Sequence, residues 1–405
     1  MWERRGVGWA ADSSVPRVAG GDVSQFGTRL GPAAVPSRLG AVPLPLRREL
    51  AGLIPYGAPQ LDVPVRLNVN ENPHPLADDV VADIAADVAV AARGLNRYPD
   101  RDFLALREDL AAYLLAESGV ALVPEQIWAA NGSNEVMLHL LQAFGGPGRT
   151  VLSFAPTYSM YPEYARDTST TWFAGQRAED FTLDPDVAVA AIEVRAPSVV
   201  LLASPNNPTG TVLPTSTIET VLKAAADVPG GCVVVVDEAY GEFRRAGVPS
   251  ALELLGTYPH LAVSRTMSKA FGLAGARVGY LAAAPELIDA LRVVRLPYHL
   301  SGVTQAVARA ALRHAPALMA QVGSLRDERD ATVTWLRERG LKVADTDANF
   351  VLFGTFDDRH AIWQGLLDRG VLIREVGPEG WLRVSIGTEQ EMMAFRNALV
   401  EVAAL

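Results

Sequence analysis

The stretch Val233-Val-Val-Val-Asp-Glu238 constrains this chain more than any other. Four consecutive valines offer no polar face, so they read as a buried strand, and the two acids mark where burial stops. Further strand-length apolar runs are expected at 150–154, 170–174, 198–203, 260–266 and 277–283. Helical patterns fall near 159–167, 185–195, 215–227 and 285–296. This alternation predicts an α/β fold, a mostly parallel sheet with helices on both faces. In such sheets ligands sit at the carboxyl ends of strands. Asp237 ends one strand, Ser204-Pro-Asn-Asn-Pro-Thr-Gly210 follows another, and Ser268-Lys269 follows a third.

Around this centre the pattern changes twice. Residues 1–45 are rich in Gly, Pro, Ser and Arg, without an apolar period, and read as a disordered extension. Residues 46–78 read as an N-terminal arm that includes a short helical piece and an alternating segment at Val65–Pro73. Val80, Val81, Ile84 and Val88 mark one helix. Phe103, Leu106, Leu110, Tyr113 and Leu114 mark the next, and a third follows Gly132. A large domain is expected over 79–298. Over 299–405 the reading is a smaller α/β domain: a long helical region to Arg339, strands at 349–353, 371–374 and 381–386, and helices at 358–369 and 388–403.

Composition narrows the function classes. Of 405 residues, 49% are hydrophobic and 20% charged, as in ordinary globular enzymes. A net charge of −10 argues against a nucleic-acid partner, and no apolar run is long enough to span a bilayer. The one cysteine, Cys232, can form no internal disulfide, and a buried thiol suits a reducing cytoplasm. No Cys/His spacing suggests a metal. Neither a P-loop nor a strand-linked G-x-G-x-x-G is present, and residues 1–45 lack the periodicity of a helix-turn-helix module that a regulator would need.

Several residues together have the chemistry to hold pyridoxal phosphate. That cofactor needs a lysine for a covalent link, a carboxylate for its ring nitrogen, donors for its ring oxygen, and a phosphate cradle. Lys269 is the candidate lysine and Asp237 the carboxylate, although an Asp there could equally cap a helix. Asn207 and Tyr240 could donate to the ring oxygen. Tyr158 could stack on the ring, with small Ala239 on its other face. Ser133 and Asn134 lie at a helix N-terminus, where free amides suit phosphate or simply form an ordinary cap. Thr266, Ser268 and Arg277 could complete the cradle.

In order and spacing the chain resembles the fold-type I pyridoxal-phosphate aminotransferases, and within them the histidinol-phosphate aminotransferases. The resemblance covers about 46–405. It rests on Leu67-Asn-Val-Asn-Glu-Asn-Pro73, Asn96-Arg-Tyr-Pro99, Gly132-Ser-Asn-Glu135, Pro156-Thr-Tyr158, the Asn207 turn, Asp237-Glu-Ala-Tyr240, Arg265–Arg277 and Leu382-Arg-Val-Ser-Ile-Gly387. His74 departs from the tyrosine often found in the family after Asn-Glu-Asn-Pro.

The resemblance implies a large domain with a mixed, mostly parallel sheet, a smaller α/β domain, and a homodimer with shared active sites. In that dimer Tyr98 would reach the partner's cofactor phosphate. It also implies that Arg383 clamps the substrate carboxylate, while Arg374 and Tyr56 approach a substrate phosphate. Loop packing is the plain alternative for both tyrosines, and a surface ion pair for Arg374. The implied reaction exchanges an amino group between histidinol phosphate and 2-oxoglutarate, giving imidazole-acetol phosphate and glutamate. Two activities on the same scaffold stay open: an aromatic amino-acid aminotransferase and a phosphothreonine decarboxylase.

Overall fold

The computed structural model describes residues 45–55 and 57–405. The expected disordered extension over 1–45 and the role expected of Tyr56 therefore fall almost wholly outside the described residues. The chain divides after Gly57. Within the first unit the described residues contain one 3-10 turn, Arg48–Leu50, where a short helical piece was expected. Ala58–Leu405 forms one compact unit.

A seven-stranded sheet runs through the centre of that unit, ordered Ile127–Ala130, Gly279–Ala283, Leu261–Thr266, Val233–Asp237, Val199–Ala203, Thr150–Ala155, Thr171–Gln176. The five strands from Leu261–Thr266 to Thr171–Gln176 are parallel. Gly279–Ala283 is antiparallel to both of its neighbours. Val234, Val235 and Val236 are wholly buried, as a strand covered on both faces requires. The parallel register sets Ala203, Asp237 and Ser264 side by side, so three strands deliver their carboxyl ends to one edge.

Sequence reading missed the edge strand Ile127–Ala130, which is only four residues long and half alanine. Phe103, Leu106, Leu110, Tyr113 and Leu114 all pack inward along the Leu104–Ser118 helix, with Phe103 as its N-cap. The expected face of Asp78–Ala92 holds only in part. Val80 is buried, Ile84 and Val88 are half-buried, and Val81 is exposed.

The long helical region breaks at His314 into Gly302–Arg313 and Ala315–Glu338. A four-stranded antiparallel sheet follows, ordered Arg374–Glu375, Leu382–Ser385, Phe350–Gly354, Lys342–Val343. The strand expected at 371–374 is two strands in different sheets. Val371–Leu372 pairs in parallel with Val65–Arg66, and Arg374–Glu375 joins Leu382–Ser385.

The strand that leads to Lys269 carries the centre of an ion network. Arg265 has no exposed surface. Its Nε donates to Glu238 Oε2 at 2.9 Å, and its guanidinium also meets Glu242 at 3.3 Å and Glu117 at 3.1 Å. Glu238 further accepts from Ser250 Oγ and the Ala251 amide. These partners hold the Glu238 carboxyl below its usual range against burial, which would raise it. Arg244 also pairs with Glu238 at 3.4 Å and with Glu117 at 3.2 Å, so removing Arg265 would strand the buried Glu242. Arg265→Met should therefore lower the unfolding free energy by about 3–5 kcal/mol, read by urea denaturation. A loss below about 1 kcal/mol would mean that the carboxylates find water or protons at little cost.

Candidate active site

Three strand ends and one turn build the site. Asp237 is buried at the end of Val233–Asp237. Its Oδ2 accepts from Tyr161 Oη at 3.0 Å and its Oδ1 from the Ala239 amide at 3.2 Å. It has no ion-pair partner among the described residues. Burial raises its carboxyl to about 6, although both hydrogen bonds pull it down. It does not cap a helix: the turn that follows, Gly241–Phe243, has Tyr240 at its N-cap.

Lys269 follows Leu261–Thr266 in a tight turn, with its Nζ 3.0 Å from the carbonyl oxygen of Val69. Burial lowers this amine from 10.5 to about 8, helped by the positive charges of Arg383 and Arg277 and opposed by Glu71. Tyr240 is buried, and its hydroxyl meets Asn70 Nδ2 at 2.9 Å. Of the paired asparagines, Asn206 is spent on the loop, donating to the Pro156 carbonyl oxygen and Thr209 Oγ1. Asn207 instead faces Arg383, whose Nη1 lies 2.5 Å from its Oδ1. Arg383 Nη2 also donates to the Asn68 carbonyl oxygen at 2.9 Å.

A cradle lies beside these groups. Ser133–Phe144 begins with Gly132 as its N-cap, so the first amides of the helix have no partner within it. Arg277 lies against that cap: a Cβ on Gly132 would come within 2.6 Å of its Nη2. The Arg277 backbone takes a left-handed φ of 56°. Gly279 passes so close beneath that a Cβ there would overlap the Ser133 backbone nitrogen. Thr266 Oγ1 and Ser268 Oγ are 3.0 Å apart, both buried. Tyr158 Oη lies 3.4 Å from Asn134 Oδ1.

Lys269, Asp237, Asn207, Tyr240, Ser133, Asn134, Tyr158, Thr266, Ser268, Arg277 and Arg383 thus gather at one sheet edge. Arg374 stands directly across from Arg383 on the neighbouring strand. Tyr98 lies elsewhere, 79% exposed and stacked on Tyr298 at 4.4 Å.

The residues fit pyridoxal phosphate. A buried carboxylate without a cation, a lysine of lowered basicity, and a glycine-lined helix start under a guanidinium match the three attachments it needs. Among the described residues, no group of three or more His, Cys, Asp or Glu could hold a metal ion. Cys232 is buried, and burial raises its thiol to about 12.

The family model for aminotransferase class I and II matches residues 63–399. The chain is 60% identical over 357 residues to a histidinol-phosphate aminotransferase of Thermobifida fusca, covering 88% of this chain and 95% of the relative. It is 60% identical over 362 residues to histidinol-phosphate aminotransferase 3 of Burkholderia lata, covering 89% and 96%. This chain belongs to the histidinol-phosphate aminotransferase family, within the class I and II aminotransferases.

The fold agrees. A crystal structure of histidinol-phosphate aminotransferase from Sinorhizobium meliloti, in complex with pyridoxal-5′-phosphate, matches with a TM-score of 0.74 at 25% identity. The match covers 84% of this chain and 91% of that one. Pyridoxal 5′-phosphate is the cofactor of the family and of this aminotransferase.

Sequence reading missed Tyr161, Asn70, Ser385 and the backbone of Asn68–Val69. Tyr161 meets Asp237 across 76 residues of chain, and no local pattern signals such a contact. Asn68 to Asn70 stood in a motif, but nothing in the motif says that three consecutive residues touch Arg383, Lys269 and Tyr240.

The lowered Lys269 basicity has a stability consequence. In the unfolded chain the amine keeps its proton to about 10.5; in the folded, cofactor-free protein it releases it near 8. Folding therefore works against the charged amine below pH 8, and the penalty fades as pH rises from 8 to 10.5. Lys269→Met should stabilise the cofactor-free protein by about 3 kcal/mol near pH 7, with the gain shrinking across that window. Urea unfolding of both proteins at several pH values checks this. A gain constant with pH would show that the amine does not titrate from a buried place.

Proposed function

We propose that this enzyme transfers an amino group between L-histidinol phosphate and 2-oxoglutarate, giving imidazole-acetol phosphate and glutamate, in L-histidine biosynthesis. The observation that carries the substrate choice is the register of Arg374 against Arg383. Directly opposed residues on antiparallel strands share a face, and two like charges there are unfavourable unless anions lie between them. The Arg374 side chain has no hydrogen-bond or ion-pair partner among the described residues. Glu375 is engaged elsewhere, with Arg359 at 3.4 Å and His360 at 3.1 Å. Two cations on one face suit glutamate, with its two carboxylates, and suit the phosphate of histidinol phosphate in the other half-reaction.

The chain's own groups divide the work. Bound pyridoxal phosphate supplies the electron sink for the bond broken at the substrate's Cα. Asp237 would keep the ring nitrogen protonated, and that cation is the partner its buried carboxylate lacks. Tyr240 and Asn207 would hold the ring oxygen, and Tyr158 would cover one ring face. The Ser133 and Asn134 amides, Thr266, Ser268 and Arg277 would hold the phosphate. Lys269 Nζ would carry the cofactor and take the Cα proton; a basicity near 8 leaves some of it neutral near neutral pH. Arg383 would exchange the Asn68 carbonyl oxygen for the substrate carboxylate, a stronger, charged acceptor. Amine donor and amine product would use this place in turn, which gives ping-pong kinetics.

We take 46–78 as an arm, 79–298 as the cofactor-binding domain and 299–405 as a smaller domain carrying Arg374 and Arg383. A homodimer would complete the site. Arg295 holds Arg101 and Asp102, drawing the loop after residue 94 to the turn after 294. Leu95, Tyr98 and Leu296 lie exposed on these two segments, an apolar surface of the kind a second subunit covers. There Tyr98 would reach the partner's cofactor phosphate. A cytoplasmic location suits the reduced, buried Cys232, and no described helix is long and apolar enough to cross a membrane.

Arg374→Ala should raise the Michaelis constant for histidinol phosphate about 10- to 100-fold while barely changing that for unphosphorylated histidinol or phenylalanine. An equal loss for all three donors would make Arg374 structural. A wild type that prefers phenylalanine would overturn the substrate assignment. Subunit sharing has its own test. Lys269→Ala and Tyr98→Ala should each be weak alone, and coexpression should recover activity in hybrids that contain one intact site. No recovery would mean that each chain builds its site alone.

A further inference from the structure

Asn70 is 2% exposed, and its backbone takes a left-handed φ of 57°, which asparagine tolerates better than most side chains. Its backbone amide donates to Ser385 Oγ at 2.9 Å, and that hydroxyl donates back to Asn70 Oδ1 at 3.0 Å. Its carbonyl oxygen accepts from Asn349 Nδ2 at 3.1 Å. With Oδ1 taken by Ser385, the other end of the amide, Nδ2, faces the Tyr240 hydroxyl at 2.9 Å. An NH2 group can only donate, so the phenol accepts there and its own proton must point elsewhere.

We infer that Asn70 is a positioning residue: locked by Ser385, its amide fixes Tyr240 as a hydrogen-bond donor toward the cofactor's ring oxygen. The inference rests on the reading that Tyr240 touches that oxygen. It also joins two parts of the site, because Ser385 lies two residues from Arg383 on one strand. Whatever shifts that strand when Arg383 takes a carboxylate bears on the amide that sets the Tyr240 proton.

The test is the pH midpoint of the visible absorption band of the holoenzyme. Tyr240→Phe removes the donor to the ring oxygen and should raise the midpoint by about one pH unit. Asn70→Asp keeps size and backbone preference but presents only acceptors. It draws the Tyr240 proton to itself and should raise the midpoint in the same direction. In the Tyr240→Phe background, Asn70→Asp should then add clearly less, only what its negative charge does through space, because the group it acts through is gone. An equal shift in both backgrounds would overturn the role of Asn70 while leaving that of Tyr240 intact. An unmoved midpoint in Tyr240→Phe would overturn the reading of Tyr240, and this inference with it.

Thermal melting of each cofactor-free variant separates folding losses from these shifts. Should Asn70→Asp not fold, Ser385→Ala serves. It frees the amide to turn over, so it should raise the midpoint by less than Asn70→Asp does, and only when Tyr240 is present.

Discussion

The site depends on positive charge held in a place that does not favour it. Burial, helped by the charges of Arg383 and Arg277, lowers the basicity of the Lys269 amine. Against them stands Glu71. On a chain of net charge −10, this local surplus is what lets a phosphorylated cofactor and anionic substrates enter. Lys269 Nζ rests on the Val69 carbonyl oxygen, and a neutral acceptor is readily displaced by a charged one. The ion network of Arg265 shows the opposite solution within the same strand. There every cation has carboxylates, and the result is structure rather than chemistry.

Much of this was legible in the sequence where a local rule applied. Continuous valines ending in an acid foretold both the central strand and the place of Asp237. The spacing of Val136 and Leu140 after Gly132 foretold the helix whose start forms the cradle. The unread parts are those decided through space. Ile127–Ala130 earns its place by pairing with Gly279–Ala283, about 150 residues onward in the chain, and not by its own weak pattern. The run after Val371 looks continuous, yet it leaves one sheet and enters another at Ile373. Tyr161 and Tyr158 stand in the same short motif. Only the three-dimensional course of Tyr161–Asp167 tells which of them meets Asp237.

Tyr161 shows how burial and charge are balanced at the sheet edge. Its hydroxyl is pushed well above the usual phenol range by burial and by Asp237, so it stays a donor and steadies the carboxylate. Close by, Arg177 is buried without a carboxylate, donating to the carbonyl oxygens of Phe154 and Phe181; burial lowers it to about 10. Strand ends leave carbonyls without ladder partners, and a guanidinium satisfies several at once. The edge that presents the site is therefore fastened from behind by a side chain that takes no part in it.

Val65–Arg66 pairs with Val371–Leu372, and Asn70 bonds to Ser385, 315 residues onward. On the ribosome the segment beginning at Val65 emerges early, but its partners Val371–Leu372 and Ser385 are made only when nearly the whole polypeptide is out. The central sheet, closed by Gly279–Ala283, can assemble well before that. The segment that carries the Val69 carbonyl is thus fastened on its other side only when the final strands arrive. A nascent chain stopped short of Ser385 could hold a folded sheet and still leave the Asn68–Asn70 backbone, on which Lys269 rests, without that fastening.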